Sequence, residues 1–412
     1  MGTINTETLP SHARLIADED VWIEGAAIDQ LARVASMSGC AAAVGLPDLH
    51  PGPGIPIGAA FAFTDQIRPG LVGSDAGCGV RVVAFPKLKQ KGDALERRVL
   101  AAFDDEDVFE GASRRALTQA AWTAGPRGLA SVSGAPETLA ELAAAEPEED
   151  DWMATIPSAP LEDVESFTNA LGTIGGGNHF LEVSAVSQVS DKAVAKSLGL
   201  KRGGFAVVAH SGSRGIGRAL IGRWGDACLS DPDAQRQYLG ELAGAVRFAR
   251  ANRLVLAWRM LAAVGAARRS RISGQFDVTH NVVVPWASQE WLHRKGSAPA
   301  EAGQPTIVLG SRGTESWVME GLGARGCLCS VAHGAGRRMN RGEAIEKLKS
   351  RYRRAELTRT ALGGRVICAD KSLLYAEHPD AYKDIEPVVR SLEAEGAARR
   401  IAALAPRVTV KR

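Results

Sequence analysis

A chain of 412 residues with 45% hydrophobic side chains is long enough to bury a substantial core, which argues against disorder. Its formal charge of +2, from 49 basic and 47 acidic residues, excludes a histone-like polycation but not a local basic groove, because phosphate binding depends on where charge sits. Six cysteines without a CxxC pair are too few for a disulfide scaffold, and no apolar run nears the ~18 residues of a spanning helix. A reducing, cytoplasmic setting without membrane contact is therefore expected. The opening residues lack the order of a signal peptide. Met1-Gly2 with Thr6 fits the bare myristoylation pattern, which is short enough to be read as chance.

In chain order, residues 1–95 read as short strands and turns, with Pro and Gly clustered from Pro47 to Pro56. Leu71-Val72-Gly73 and Gly79 to Val83 read as strands flanking a loop that carries Asp75 and Cys78. Residues 93–145 read as mostly helical and acidic. The run Glu146-Pro147-Glu148-Glu149-Asp150-Asp151 reads as a solvated surface loop or linker. Leu171 to Val183 alternates between Gly-rich turn and apolar strand. Phe205 to Ala209 reads as a buried strand that delivers His210 at its end. Residues 216–269 form the longest helical stretch, with a break at Asp231-Pro232 and apolar positions at three- and four-residue spacing from Tyr238 to Val264. Phe276 to Val284, Thr306 to Met319 and Cys327 to Val331 read as strands. Residues 343–362 and 384–404 read as helices. Helical blocks separated by strand runs point to a mixed α+β fold rather than a doubly wound sheet.

Three stretches place metal-capable or nucleophilic side chains among glycines: Gly73-Ser74-Asp75-Ala76-Gly77-Cys78-Gly79, Gly175-Gly176-Gly177-Asn178-His179 and Ala332-His333-Gly334-Ala335-Gly336-Arg337. Glycine allows tight turns and close approach to a ligand. His210-Ser211-Gly212-Ser213-Arg214-Gly215 and Thr279-His280-Asn281 fit the same scheme. One Asp, one Cys and four His suffice for a two-metal site with one imidazole to spare. A mixed carboxylate, thiolate and imidazole set suits a first-row ion such as Mn²⁺, with Zn²⁺ a competitor. Two such ions could hold a phosphate during an in-line displacement. His333 could act as a nucleophile, with Arg337 neutralising a phosphate; it could equally be a metal ligand or a satisfied loop histidine. The basic stretch from Arg337 to Arg354 reads either as a solvated helix face or as a nucleic-acid contact. Gly321-Leu322-Gly323-Ala324-Arg325-Gly326 matches GxGxxG but is followed by a strand-like segment, so the dinucleotide reading is rejected.

Six motifs in order resemble the RtcB family of RNA-splicing ligases: Gly45 to Gly52, Asp75 to Gly79, Gly175 to Phe180, His210 to Gly215, Thr279 to Asn281 and His333 to Arg337. Phe248-Ala249-x-Ala251-Asn252-Arg253 and Ala381-Tyr382-Lys383-Asp384 add to it. The resemblance implies the family's α+β fold, with mixed sheets surrounding a central metal-containing cleft in a single catalytic domain over residues 1–412. It also implies a GTP- and Mn²⁺-dependent ligase that joins RNA 3′-phosphate or 2′,3′-cyclic phosphate ends to 5′-hydroxyl ends, in RNA repair or tRNA splicing. His333 would carry GMP, and Gly334, Ala335 and Gly336 would line the nucleotide site. Asp75, Cys78 and His179 would hold one ion, and Cys78, His210 and His280 the other. Asn178 would contact the GTP phosphates, and Glu182, Ser311, Ser316 and Lys383 would form the guanine pocket. Arg214 and Arg337 would meet RNA. Departures such as Ser74-Asp75-Ala76 and Val331-Ala332 leave the RNA substrate and the need for an activating protein open. A dinuclear phosphohydrolase and a non-catalytic RNA-binding protein stand as the alternatives.

Overall fold

The computed structural model describes residues 9–412 except 105–108, 110–111, 150 and 162–163. The myristoylation pattern at Met1-Gly2 and Asp150 of the acidic run lie outside the described residues.

Fifteen described strands form three sheets. The first seven are β1 (Ala13–Leu15), β2 (Cys40–His50), β3 (Ile57–Thr64), β4 (Gly79–Phe85), β5 (Phe180–Val189), β6 (Phe205–Ser211) and β7 (Gly274–Thr279). Then come β8 (Asn281–Pro285), β9 (Glu290–Lys295), β10 (Ser297–Pro299), β11 (Pro305–Val308), β12 (Ser316–Gly321), β13 (Ser330–Ala332), β14 (Arg365–Cys368) and β15 (Ala398–Lys411). One sheet has the order β1-β2-β3-β9-β8, and β10 pairs with β13. The large sheet runs β11-β12-β15-β5-β6-β4-β7, with β14 parallel to β15. The expected mixed α+β architecture is therefore present. β7 ends at Thr279 in the large sheet and β8 begins at Asn281 in the other, so His280 alone bridges the crossing.

The helices are α1 (Gly25–Ala35), α2 (Gly92–Asp104), α3 (Arg114–Gly128), α4 (Glu137–Ala144), α5 (Lys192–Ser197), α6 (Gly215–Trp224), α7 (Pro232–Ala263), α8 (Arg341–Lys349), α9 (Arg354–Leu357), α10 (Lys371–Ala376) and α11 (Ile385–Ala394). The break at Asp231-Pro232 is the start of α7: the Asp231 carboxylate caps Ala234 N at 2.9 Å and Pro232 takes the first helical position. α7 packs on β4, β5 and β6 and is buried on nearly every side from Tyr238 to Ala263, as expected of a helix apolar around its whole circumference. At Gly244 a methyl group would stand 2.3 Å from the Trp122 ring of α3, so that crossing requires glycine. α1 covers the five-stranded sheet with Ile28, Leu31 and Val34.

Several expectations are corrected. Pro69–Leu71 is a 3-10 turn, not a strand. Thr306 to Met319 is a hairpin of β11 and β12 around a turn. Residues 343–362 hold parts of two short helices. The stretch 384–404 breaks after α11, where Gly396 adopts φ +67°, and continues as β15. Its Ala-rich composition suggests helix, but it pairs with β12 on one side and β5 on the other in the centre of the large sheet.

The acidic run is not a solvated loop. Glu146 is buried and its two carboxylate oxygens accept from Arg81 at 2.6 and 2.7 Å. Glu149 accepts from Arg247, and Asp151 from Arg250. The run is strapped inward because its cationic partners lie on α7 and β4, far away in sequence.

Candidate active site

The large sheet gathers the chemistry at one end. Its neighbouring strands β5, β6, β4 and β7 are antiparallel, so the start of β5, the end of β6, the start of β4 and the end of β7 share an edge. His179 precedes β5, His210 is the last residue but one of β6, Cys78 precedes β4 and His280 follows β7. Gly77, at φ +77°, bends the chain into Cys78, and His280 N donates to Cys78 O at 2.8 Å.

The side chains converge. Cys78 Sγ stands 3.3 Å from His179 Nε2 and 3.4 Å from His210 Nε2. His210 Nε2 stands 3.4 Å from His280 Nε2, and His179 Nε2 2.8 Å from Asp75 Oδ2. Bonds of about 2.0–2.3 Å to an ion place tetrahedral ligands roughly 3.5 Å apart, so this soft and hard donor set has the spacing of a metal centre. Cys78 sits between the two halves, Asp75 and His179 on one side, His210 and His280 on the other. All five expected ligands are thus brought together.

Electrostatics prepares them. Burial, reinforced by the neighbouring histidines, holds His210 and His280 well below the usual imidazole range, so both are neutral. Burial pushes the Asp75 carboxyl up, but the hydrogen bond and charge of His179 outweigh it and leave the group below its ordinary range. Burial and the Asp75 carboxylate push the Cys78 thiol well up. A bound cation reverses that penalty and favours thiolate.

Helix α7 holds these loops from behind. Arg253 Nη1 donates to Gly77 O at 2.7 Å and Ser211 O at 2.9 Å, while Nη2 reaches Asp277 at 2.6 Å and Thr279 Oγ1 at 3.3 Å. Asn252 accepts from Gly172 N and donates to Thr173 O and Ser211 Oγ. Both side chains are fully buried. Asp277 also accepts from Arg81, which links the metal loops to the acidic strap.

His333 follows β13 and lines the same cleft, its ring centroid 4.8 Å from that of His280. Its Nδ1 lies 2.7 Å from Asp48 Oδ2. Asp48 is fully buried at the end of β2. A carboxylate on Nδ1–H fixes the tautomer and leaves the Nε2 lone pair free. The fit requires glycine on both sides: a methyl at Gly58 would stand 2.6 Å from Asp48 Oδ1, and one at Gly336 2.3 Å from Asp48 O. Both glycines have positive φ.

The cleft has a volume of about 570 Å³. Asn178, Glu182, Ser311, Ser316, Gly334, Ala335 and Gly336 line it, as expected of the nucleotide site. Glu182 is buried and accepts from Ser184 and Thr409 hydroxyls, each at 2.6 Å; burial raises its carboxyl to about 7.

Three expected site residues sit differently. Lys383 does not line the cleft. Its buried ammonium donates to Pro47 O and Leu49 O, at 3.0 and 2.7 Å, and so clamps the backbone on both sides of Asp48. The C-terminal lysine that lines the pocket, together with Lys295, is Lys411 from β15, whose Nζ donates to His179 O at 3.0 Å. Arg337 lines the cleft, but its guanidinium is engaged by Met339 O, Ala376 O, Tyr382 and Glu377 within the wall. Arg341 shares Glu377 through its Nε at 3.3 Å, but its side chain is half-exposed at the mouth and so more accessible to an incoming phosphate. Arg214 lies outside the cleft lining and, at φ +62°, lays its guanidinium over Gly175, with Nη1 3.5 Å from His179 Nδ1.

The sequence reading also missed Asp48 as a partner of His333, although it lies within the quoted Gly45 to Gly52 motif. It missed Lys295 as well, whose half-buried side chain donates through Nζ to Val72 O at 2.9 Å beside Asp75. Asn252-Arg253 was visible as a motif, but its task was not.

Comparison with known proteins agrees with this geometry. The family model described as tRNA-splicing ligase RtcB matches residues 30–412. The chain is 36% identical over 407 residues to the RNA-splicing ligase RtcB2 of Escherichia coli, covering 96% of this chain and 94% of that protein. It is 31% identical over 443 residues to the RNA-splicing ligase RtcB of Mycobacterium tuberculosis, covering 93% of this chain and all (100%) of that protein. It is 30% identical over 430 residues to the tRNA-splicing ligase RtcB of Pyrobaculum aerophilum, covering 89% and 87%. With a family match over residues 30–412 and relatives 30–36% identical over about nine-tenths of its length, this chain belongs to the RtcB family.

Proposed function

We propose that this protein is an RNA ligase that uses GTP and divalent metal, with Mn²⁺ the best fit, to join a 3′-phosphate or 2′,3′-cyclic phosphate end to a 5′-hydroxyl end. The observation that carries the reading is the buried Asp48–His333 contact beside the buried Cys78, His179 and His210 group, which Asp75 and His280 adjoin. Asp75, Cys78 and His179 would hold one ion and Cys78, His210 and His280 the other. Bound there, the ions would neutralise phosphate charge during displacement.

In this reading His333 Nε2 attacks the α-phosphorus of GTP. The N–P bond forms as the bond to the β-phosphate oxygen breaks and pyrophosphate leaves. Asp48 keeps the Nδ1 proton and stabilises the imidazole as it gains positive character. A cyclic phosphate is first opened by water. An oxygen of the RNA 3′-phosphate then displaces His333 and takes GMP, turning a poor electrophile into one with a good leaving group. The 5′-hydroxyl attacks that 3′-phosphorus, loses its proton, and GMP departs. Glu182 would accept from the guanine edge, with Lys411 and Ser316 beside it, and Asn178 would contact the GTP phosphates. Arg214 and Arg341 would meet the RNA phosphates. The match over nearly the whole chain supports one catalytic unit, and an activating protein partner is compatible with the open cleft. Among the described residues no helix is long and apolar enough to cross a membrane.

The test is incubation with α-labelled GTP and Mn²⁺. An acid-labile labelled protein that is lost in His333→Ala is expected. Phosphate-ester hydrolysis with no labelled protein would support a phosphohydrolase, and RNA binding without either would support a non-catalytic role.

A further inference from the structure

Nine arginines and lysines but only three glutamates lie between Arg337 and Arg359, a net of +6 in a chain whose total is +2. The rest of the chain is therefore net −4. Arg338, Arg341, Lys347, Lys349, Arg351, Arg353, Arg354 and Arg359 are exposed. Several exposed arginines on other surfaces are paired, as in Arg14–Glu395, Arg390–Asp20 and Arg399–Asp191. Here the side chains of Arg338, Lys349, Arg353 and Arg354 form no ion pair among the described residues, while Lys347 and Arg351 are held by Glu343 and Asp380. Unpaired cations in one place repel each other and are stabilised by a polyanion.

Position gives the patch its direction. α8 starts at the cleft mouth, where Asn340 and Arg341 line the opening. Arg341 reaches the Gly175-Gly176-Gly177 loop: a methyl at Gly177 would stand 2.8 Å from its Nη2. From there the nine residues of α8 run about 13 Å at 1.5 Å per residue, towards Arg353 and Arg354. Stacked nucleotides advance roughly 3.4 Å per phosphate, so the helix matches about four of them. Tyr352 and Tyr375 are half-buried, so the patch lacks an exposed aromatic platform for bases.

We propose that α8 and the start of α9 form a track for the sugar-phosphate backbone of the RNA strand, gripping about four nucleotides beyond the reacting end without reading their sequence. This rests on the ligase reading for its substrate class.

The test is the triple variant Lys349→Glu/Arg353→Glu/Arg354→Glu. Fluorescence anisotropy over a salt series would be read with a long single-stranded RNA and with a trinucleotide. The long RNA should bind at least tenfold more weakly, and its log–log salt slope should fall by about 2, at roughly 0.7 per phosphate contact. The trinucleotide and the labelling by GTP should be unchanged. The corresponding glutamine triple variant should lose the same slope, which covers misfolding of the charge-reversed protein. Unchanged long-RNA binding overturns the track, as does an equal loss for both RNAs, or loss of binding to anionic vesicles in place of RNA. Failure of the unaltered protein to take up label counts against the ligase reading instead, and the RNA comparison still decides the track.

Discussion

Arg253, in the middle of a buried helix, donates to the carbonyl of Gly77, the residue that turns the chain into Cys78. The same guanidinium holds Ser211, next to His210, and Thr279, next to His280. Three of the five metal-capable side chains are thus set by one planar fork. Lys cannot reproduce that fork. Arg253→Lys should fold with lowered stability, by about 2–3 kcal/mol, because lysine keeps the charge opposite Asp277 but loses hydrogen bonds of the fork. Its Mn²⁺ affinity by titration calorimetry should fall about 10–100-fold, as for other supports of metal ligands. Unchanged affinity would show that the loops hold themselves.

Asp48→Asn tests the orientation of His333. The shape is kept but the charge opposite Nδ1 is lost. Labelling by GTP should slow by about 10²–10⁴-fold, the range known when the carboxylate partner of a catalytic histidine is replaced. Metal content, measured by elemental analysis, should stay the same, since Asp48 touches none of the five ligands. A parallel loss of metal would move Asp48 into the metal site.

Cys78→Ser should deplete both ions. The thiol lies within 3.4 Å of both His179 and His210. Metal-to-protein ratio should drop at both positions, and the metal-dependent rise in melting temperature should vanish. Loss of only one ion would refute sharing.

Glu182 should make nucleotide binding depend on pH. Burial raises its carboxyl from 4.5 to about 7, so between these values the folded protein holds a proton that the unfolded chain has lost. Metal-free stability from this group therefore falls as pH rises from 4.5 to 7 and remains lower above it. The ionised form that accepts from a guanine edge dominates above 7. Affinity for GTP should rise through that value and flatten in Glu182→Gln. The same variant should be more stable than the parent at pH 8, by on the order of 3 kcal/mol. A pH-independent affinity in the parent would remove Glu182 from the guanine site.

Glu146→Ala should behave as a core mutation although it falls in a run of five acidic side chains. It leaves the buried Arg81 with only Asp277, and about 3–5 kcal/mol of unfolding free energy should be lost in urea. A change below 1 kcal/mol would mean that the strap is dispensable.

The site was legible because its chemistry needs unusual residues in unusual loops. Asp75, Cys78, His179, His210 and His280 stand out beside glycines that no core requires, and the ordered spacing made the family visible. What was not legible depends on partners remote in the chain. Asp48 and His333 are 285 positions apart. The acidic run reads as solvated until Arg81, Arg247 and Arg250 are seen to face it. Lys383 and Lys411 are both buried cations near the C-terminus, and only the fold shows which enters the cleft. β15 misled through composition: its alanines favour helix in isolation, but a central strand clamped between two neighbours needs small side chains more than intrinsic propensity.

His280 sits on the single residue by which the polypeptide passes from one sheet to the other. Asp48 is rooted in the five-stranded sheet, whereas Cys78, His179 and His210 are rooted at the rim of the large one. The proposed reaction centre therefore lies along a seam, and a cation held by His280 and its neighbours would work as a clasp. It would fix the alignment of the two halves on which the reach of the His333 nitrogen depends. Metal loading would then be a mechanical step as well as an electrostatic one.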